Sequence, residues 1–222
     1  MGAEKVPMDF FSWHAYRVEP ERIVGTARNL RRMLDANGYG ETESILDEWN
    51  YIRSWTEDFA YNVRTIKAEK GAAFTLATMI ACQSAPVDIL MYYDARPTAY
   101  NGLFASGTYD PLKGYYPFYI WSKLRAYGTQ VAAKAENAKD LYVCATKGAD
   151  GRAAVVLCRY TDNDNKNGIV PVELSLAGLP TARLTCHLTD RCRVYTEFPL
   201  VVKDGAVTVP LESNSFGLVE LE

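Results

Sequence analysis

The sequence has little of what would mark a metalloprotein or a disulfide-rich scaffold. Of its 222 residues, two are histidines and five are cysteines. The cysteines stand in separate segments, without the close paired spacing of a zinc site or a dense disulfide framework: Cys82, Cys144, Cys158, Cys186 and Cys192. We therefore expect reduced thiols, no metal and no cofactor.

Long apolar runs and an excess of one charge are also missing. The longest nearly apolar stretch, residues 71–82, is too short to span a bilayer, and residues 1–5 are not followed by a signal-type apolar run. The net charge is -3, and the basic residues are scattered. These features predict a soluble globular protein that binds neither nucleic acid nor a membrane, and they leave its localisation open.

Aromatic side chains, by contrast, are plentiful. The chain has 15 tyrosines and four tryptophans, and several of them stand among polar residues instead of within apolar runs. Rings in such surroundings often face ring-shaped ligands.

The first half alternates strand and helix patterns in three units. Strands are predicted at residues 8–16, 44–50 and 88–93, and helices at residues 20–38, 61–82 and 116–127. Pro20 suits a first helical turn, Gly38 and Gly128 suit helix ends, and residues 54–57 have the spacing of a capping box. The buried stripe of the first helix is predicted to be Ile23, Ala27, Leu30 and Leu34.

The second half reads as short strands separated by turns. Asp204-Gly205 lies between two alternating runs and predicts a hairpin. The predicted strands are residues 141–145, 153–160, 170–176, 182–188, 194–203, 206–211 and 216–221. The predicted fold is therefore α/β plus all-β, with an α/β region at 1–135 and an antiparallel β-sandwich at 136–222.

Polar and aromatic residues cluster at the ends of the three predicted parallel strands. Sites in such sheets lie at the carboxyl ends of strands, so these residues are expected to line one pocket. Rings, carboxylates, an amide and a guanidinium suit a sugar, which stacks its C–H faces and hydrogen-bonds through its hydroxyls. The candidate residues are His14, Tyr16, Asp47, Glu48, Trp49, Asn50, Tyr92, Tyr93, Asp94 and Arg96.

Three segments carry a resemblance to a known family. "FFSWHAY", "ILDEWNY" and "YYDARPTAYNGLF", in this order and followed by sandwich-like strands, resemble the C-terminal part of glycoside hydrolase family 39. That family is β-xylosidase-like and belongs to a clan of retaining (β/α)8 glycosidases. The resemblance implies that the chain holds TIM-barrel strands six to eight, about three βα units, and then the accessory sandwich.

The resemblance also implies a mechanism. It makes Glu48 the nucleophile of a retaining hydrolase that cleaves O-glycosyl bonds, with His14 and Tyr16 in the aromatic and histidine cluster near it, while Trp49, Asn50, Tyr92, Tyr93, Asp94 and Arg96 remain substrate-binding candidates from the strand ends. Such a mechanism needs a second carboxyl group about 5 to 5.5 Å away. The family places that acid/base Glu directly after an Asn at the end of strand four, and this sequence contains no Asn-Glu pair.

The length also falls short of a whole barrel. Eight βα units need roughly 200 residues, whereas only about 130 precede the predicted sandwich. The chain is expected to be a fragment or a truncated product that is inactive alone, or else to complete its barrel by association. Open strand edges favour pairing with a missing N-terminal half-barrel or with a second copy, so a homodimer is a further expectation.

Simpler interpretations stay open. In these interpretations Glu48 is an ion-paired loop carboxylate, Asp47 is a cap, His14 is a core imidazole, and Arg96 is the ion-pair partner of Glu48 or Asp94. The tyrosines and Trp49 would serve as packing residues. A metal site from His14, Glu48 and Asp94 lacks close ligand spacing. The alternative function is a non-catalytic carbohydrate-binding or assembly module.

Overall fold

The computed structural model describes residues 6–98, 100–136, 139–179 and 182–222. Residues 1–5, on which the expectation about a leader partly depends, therefore lie outside the described residues. Within the described part, no helix combines the length and apolar character needed to cross a membrane. Each of the five cysteines carries a free thiol, and only Cys192 is exposed.

Three strand-helix units form the first half, as the pattern predicts. The strands β1 (Phe10–Arg17), β2 (Glu43–Tyr51) and β3 (Ile89–Tyr92) make a parallel sheet in the order β1-β2-β3. Helix α1 (Pro20–Ala36) follows β1 with Pro20 in its first turn, and α4 (Tyr116–Tyr127) ends at Gly128, whose φ of 124° favours glycine. Ile23, Ala27 and Leu34 of the predicted stripe are buried.

The predicted helix at residues 61–82 is wrong as a single element. It consists of α2 (Phe59–Ile66) and α3 (Glu69–Cys82), which are separated at residues 67–68. A Cβ on Gly71 would lie 2.4 Å from the Thr65 carbonyl oxygen, so the start of α3 crosses the end of α2 at a distance that only glycine allows. The predicted cap at residues 54–57 forms a turn before α2, where Ser54 accepts hydrogen bonds from the Thr56 and Glu57 amides.

Two antiparallel sheets form the second half. Strands β4 (Thr129–Val131), β5 (Leu141–Lys147), β6 (Ala153–Arg159), β12 (Ser215–Leu221), β8 (Leu184–Thr189) and β9 (Thr196–Glu197) pair in that order. Strands β10 (Val202–Lys203), β11 (Ala206–Glu212) and β7 (Ile169–Ser175) make the second sheet, and an apolar core that includes Leu157, Val209 and Val219 lies between the two. Asp204 and Gly205, both with positive φ, form the predicted hairpin turn between β10 and β11.

The strand predicted at residues 194–203 is also wrong. Residues 196–197 and 202–203 are short strands that belong to different sheets, with an irregular stretch between them. The strand β4 was not predicted.

Helix α3 joins the two halves. Nearly all of its residues are buried, because one core includes Trp49 of β2, Phe74 of α3 and Val156 and Phe216 of the six-stranded sheet. A helix that is apolar all round is expected at such a fully covered position. The strand β2, which carries Glu48, is therefore held against the six-stranded sheet through α3.

A cluster of charges reinforces this junction. Lys70 Nζ lies 2.8 Å from a carboxylate oxygen of Asp162 and 2.8 Å from one of Asp164, and Arg53 contacts the same two carboxylates at 3.1 and 3.2 Å. The Tyr51 hydroxyl donates to Asp162 at 2.5 Å. We call Arg53, Lys70, Asp162 and Asp164 the junction cluster, since it ties the end of β2 and the start of α3 to the loop after β6.

The junction cluster predicts a loss of stability in acid. Burial disfavours the charged form of Asp164, but hydrogen bonds from Lys70 and Tyr61 outweigh it and lower the pKa of Asp164 to about 2. An unfolded Asp has a pKa near ~3.9, so the stabilisation is complete above that pH and is lost as the pH falls through about 2. Because half of the Asp164 side chain is exposed, we expect a contribution of about 1 kcal/mol or less.

Urea unfolding between pH 5 and pH 2 measures this contribution. The Asp164→Asn variant should be less stable at pH 5 and should approach the parent protein in stability as the pH falls. Equal pH dependence of the two proteins would contradict the assignment.

Candidate active site

The carboxyl ends of β1 and β2 bring an imidazole, a phenol and two carboxylates together. Trp13 pairs with Leu46, but the next residue of β1, His14, pairs with Glu48. Asp47 is therefore an extra residue in β2, as in a β-bulge. Consecutive strand side chains normally point to opposite faces, whereas here both Asp47 and Glu48 reach the His14 ring.

Glu48 is the best-oriented group of the site. The Tyr16 hydroxyl donates a hydrogen bond to its Oε1, and His14 Nδ1 lies 2.9 Å from its Oε2. Its side chain is 24% exposed, so the carboxylate is open to a ligand. Burial, and then the hydrogen bond to Glu48, raise the pKa of Tyr16 well above its ordinary value. Tyr16 therefore stays a hydrogen-bond donor to Glu48 throughout the neutral range.

Asp47 is less firmly held than Glu48 at the oxygen that faces His14. Its Oδ1 lies 3.4 Å from His14 Nε2, which is within ion-pair distance but not in hydrogen-bond geometry. Among the described residues this buried oxygen has no hydrogen bond. The cap suggested for Asp47 is therefore not seen at Oδ1.

Trp49 and Asn50 lie behind the pocket, not in it. Each is about 1% exposed, and Trp49 packs against Phe74 of α3 and Tyr92 of β3. Asn50 Nδ2 donates to the Tyr92 hydroxyl at 3.1 Å and to the Tyr93 carbonyl at 2.8 Å. Burial therefore sets Trp49 and Asn50 apart from the exposed candidates, whereas Tyr92, which both of them contact, is partly exposed and stays a predicted contact of the sugar.

The end of β3 forms a second polar group. Arg96 donates to Asp94 at 2.6 and 2.8 Å and to the Tyr93 hydroxyl at 2.8 Å. The Tyr93–Asp94 peptide bond is cis. The Arg96 side chain is 67% exposed and Tyr93 is 36% exposed, so both can meet a ligand. Arg96 pairs with Asp94, one of the two partners considered for it.

Two further rings belong to this neighbourhood and were not predicted. The Trp55 ring meets the Tyr16 ring edge to face, with centroids 4.8 Å apart. The Tyr100 ring lies beside that of Trp55, with centroids 6.1 Å apart, and burial, then the charge of Glu48, raises the pKa of the Tyr100 hydroxyl well above its ordinary value. The sequence offered one signal, namely aromatic residues in the polar loops that follow β2 and β3.

One open cleft lies elsewhere. It encloses about 850 Å³ between residues 6–9 and 38–43, at the amino ends of β1 and β2, and none of the predicted site residues lines it. We place the site at Glu48 nonetheless, because the oriented carboxylate and its donors lie at the carboxyl ends, where parallel sheets carry their chemistry.

Comparison with known proteins connects this geometry to a fold. No protein-family model and no curated protein matches the chain. Among solved structures, a glucosidase from Croceicoccus marinus superposes with a TM-score of 0.73 at 19% sequence identity, over 97% of this chain and 54% of the glucosidase. A family 39 glycoside hydrolase from Xanthomonas axonopodis pv. citri gives a TM-score of 0.71 at 14% identity, over 97% and 55% of the two chains.

A family 39 β-xylosidase from Caulobacter crescentus is similar as well, with a TM-score of 0.68 at 15% identity over 96% of this chain and 51% of the xylosidase. The chain thus spans about half the length of these structures. At such low identity the likeness concerns the fold: the chain has the fold of a partial glycoside hydrolase, similar to the C-terminal portion of family 39 enzymes.

Proposed function

We propose that the chain is the C-terminal half of a retaining glycoside hydrolase, in which Glu48 is the nucleophile and the acid/base carboxylate lies on a part of the barrel outside this chain. The observation that carries the proposal is Glu48 near the carboxyl end of the middle strand, with one oxygen bonded to Tyr16 and the other beside His14. A nucleophilic carboxylate needs such fixed orientation, because rate depends on near-attack geometry.

The reaction follows from these roles. Glu48 attacks the anomeric carbon of a glycoside while an acid from the completing half protonates the leaving oxygen, which gives a glycosyl ester on Glu48. Water then attacks the same carbon, the ester bond breaks, and the Glu48 carboxylate is regenerated. Tyr16 and His14 hold Glu48. Tyr93 offers a ring to the C–H face of the sugar, and Arg96 offers guanidinium donors to its hydroxyls.

The open inner face of the parallel sheet supports the need for a second half. Phe10 of β1 is 57% exposed, and Ile89 and Met91 of β3 are 39% and 46% exposed. These residues alternate with side chains packed on the helices, so they face the side that a closed barrel would enclose. The proposed partner is an N-terminal half-barrel, with a second copy of this chain as the other candidate. Light scattering of the purified chain distinguishes a monomer from a homodimer.

A 2-fluoro-xylosyl donor tests the nucleophile directly, because the fluorine slows hydrolysis of the glycosyl ester. In a barrel completed by an N-terminal half, we expect mass spectrometry to find one added fluoroglycosyl group on the peptide that contains Glu48. The Glu48→Gln variant serves as the control and should carry none.

An adduct on Asp47 or Asp94 would contradict the assignment of Glu48. Sugar binding without any adduct, in a completed barrel that turns over no glycoside, would favour the alternative of a non-catalytic carbohydrate-binding module.

A further inference from the structure

The proposed function leaves Asp47 without a role, although its side chain reaches the same ring as Glu48. His14 Nδ1 lies 2.9 Å from Glu48 Oε2, and His14 Nε2 lies 3.4 Å from Asp47 Oδ1. Both nitrogens of one imidazole therefore face carboxylate oxygens. A neutral imidazole has one N–H and one lone pair, so one of these contacts would set a lone pair against an anion. The arrangement fits an imidazolium, in which both nitrogens donate.

The Asp47 carboxylate also has an oxygen that needs a donor. Its Oδ1 is buried and accepts no hydrogen bond among the described residues, although buried acceptors are nearly always paired. The distance of 3.4 Å to His14 Nε2 is slightly longer than the usual N–H···O range of about 2.7–3.2 Å. Since the His14 side chain is 56% exposed, a small rotation of the ring can close this gap. His14 Nε2 is therefore the donor that the structure offers to Asp47.

His14 is the cationic group that lies between the two carboxylates of β2. The charged and titratable groups on the neighbouring elements are Asp47 and Glu48 of β2, Tyr16 and Arg17 of β1, and Tyr93, Asp94, Arg96 and Tyr100 at the end of β3 and in the loop after it. The two arginines donate elsewhere, to Asp94 and to a backbone carbonyl. The Tyr16 hydroxyl keeps its proton, because burial and its hydrogen bond to Glu48 raise its pKa. The imidazolium of His14 would therefore pair with both carboxylates at once.

We propose that Asp47 is a positioning residue, which holds the protonated His14 ring against Glu48 and remains its counter-ion when Glu48 has reacted. This inference rests on the proposed function, because it needs Glu48 to become a glycosyl ester. The ester is neutral, so its formation removes one of the two anions beside His14. Asp47 is then the anion that balances the ring during the second step.

Nitrogen-15 NMR of the chain tests the contact without any need for turnover. The chain has two histidines, so the spectrum contains two imidazole rings, and His187 of β8 reports the integrity of the fold. In Asp47→Asn, which keeps the shape but removes the charge, we expect His14 to bind its proton about fivefold less tightly, which is the effect of a unit charge about 4 Å away in water. His187 should titrate as in the parent chain. The matched control is Glu43→Gln, which removes an exposed carboxylate at the amino end of the same strand and should leave both rings unchanged.

Rates in a barrel completed by an N-terminal half test the positioning role. Asp47→Asn should lower kcat about tenfold with little change in KM, because Asp47 acts on the reacting carboxylate through His14. The ratio of parent to variant rates should approach one as rising pH removes the proton from His14 in both proteins. A merely structural defect would lower the rate by the same factor at every pH.

Two results would overturn the role of Asp47. One is a His14 ring that titrates identically in the parent and Asp47→Asn chains, and the other is a rate ratio that does not change with pH. Labelling of Glu48 by the 2-fluoro donor keeps this proposal separate from the enzymatic one. An adduct with an unchanged His14 titration removes the role of Asp47 and keeps the hydrolase. A shifted titration without any adduct in a completed barrel keeps the contact between Asp47 and His14 but removes the hydrolase, and with it the positioning role.

Discussion

Joining this chain to the N-terminal half of the Caulobacter crescentus β-xylosidase should, under the proposed function, yield hydrolysis of an aryl β-xyloside that neither piece shows alone. The reason is that the retaining mechanism needs two carboxyl groups on opposite sides of the bond, and the proposed function makes Glu48 one of them. Replacing Glu48 by Gln in the chimaera is expected to lower kcat by roughly 10⁴-fold or more, because the attacking oxygen is lost. Release of the aryl alcohol, followed by absorbance, measures the rate.

Two controls make the result specific. Asp47→Asn changes the neighbouring carboxylate in the same bulge, and it should reduce the rate far less than Glu48→Gln. Azide, a small anion that can replace a missing carboxylate, should restore part of the activity of a Glu48→Gly variant. If a soluble chimaera that unfolds cooperatively hydrolyses the xyloside equally well with Glu48→Gln, then Glu48 is not the nucleophile.

Local pattern predicted the parts of the site that depend on strand order. Alternation of strands and helices implies parallel strands whose carboxyl ends meet, and His14, Tyr16 and Glu48 indeed come together at that edge. Their order along the chain is enough for this inference, because a parallel sheet puts equivalent ends on one side.

Local pattern could not predict the side chains whose direction depends on register. The extra residue at Asp47 shifts the pairing of β2 with both neighbours, since Leu46 pairs with Leu90 but Trp49 with Tyr92. That shift turns Glu48 toward His14, and Trp49 lies against α3. A bulge arises from contacts between strands, and no residue type within 44–50 marks it.

The division between α2 and α3 was missed for a related reason. The apolar spacing runs on without interruption through residues 61–82, so it favours one helix. In the structure α3 is covered on several sides, by β2 and by the six-stranded sheet. Its direction is therefore set by tertiary packing, which helical periodicity does not encode.

The Asp162→Asn substitution is expected to cost about 2–3 kcal/mol of unfolding free energy. Lys70 is 9% exposed and has both Asp162 and Asp164 at 2.8 Å, and Arg53 shares the same two carboxylates. Removing one of the two negative charges leaves two cations with one carboxylate, and a poorly solvated charge without its partner is strongly destabilising. In the variant the Tyr51 hydroxyl also donates to a neutral amide oxygen in place of an ionised carboxylate oxygen, which is a weaker hydrogen bond. Urea unfolding at pH 7 measures the change.

A double variant and a surface control test whether Lys70 and Asp162 act as a poorly exposed ion pair. Lys70→Met combined with Asp162→Asn should be more stable than the sum of the single effects predicts, because the double variant leaves one cation and one carboxylate. Lys166→Met is the matched control, since Lys166 is 45% exposed and pairs with Asp140, so its loss should change stability by less than about 1 kcal/mol. If Asp162→Asn is no more destabilising than Lys166→Met, the junction cluster does not hold β2 to the C-terminal sheets. The orientation of Glu48 would then depend on the packing of α3 alone.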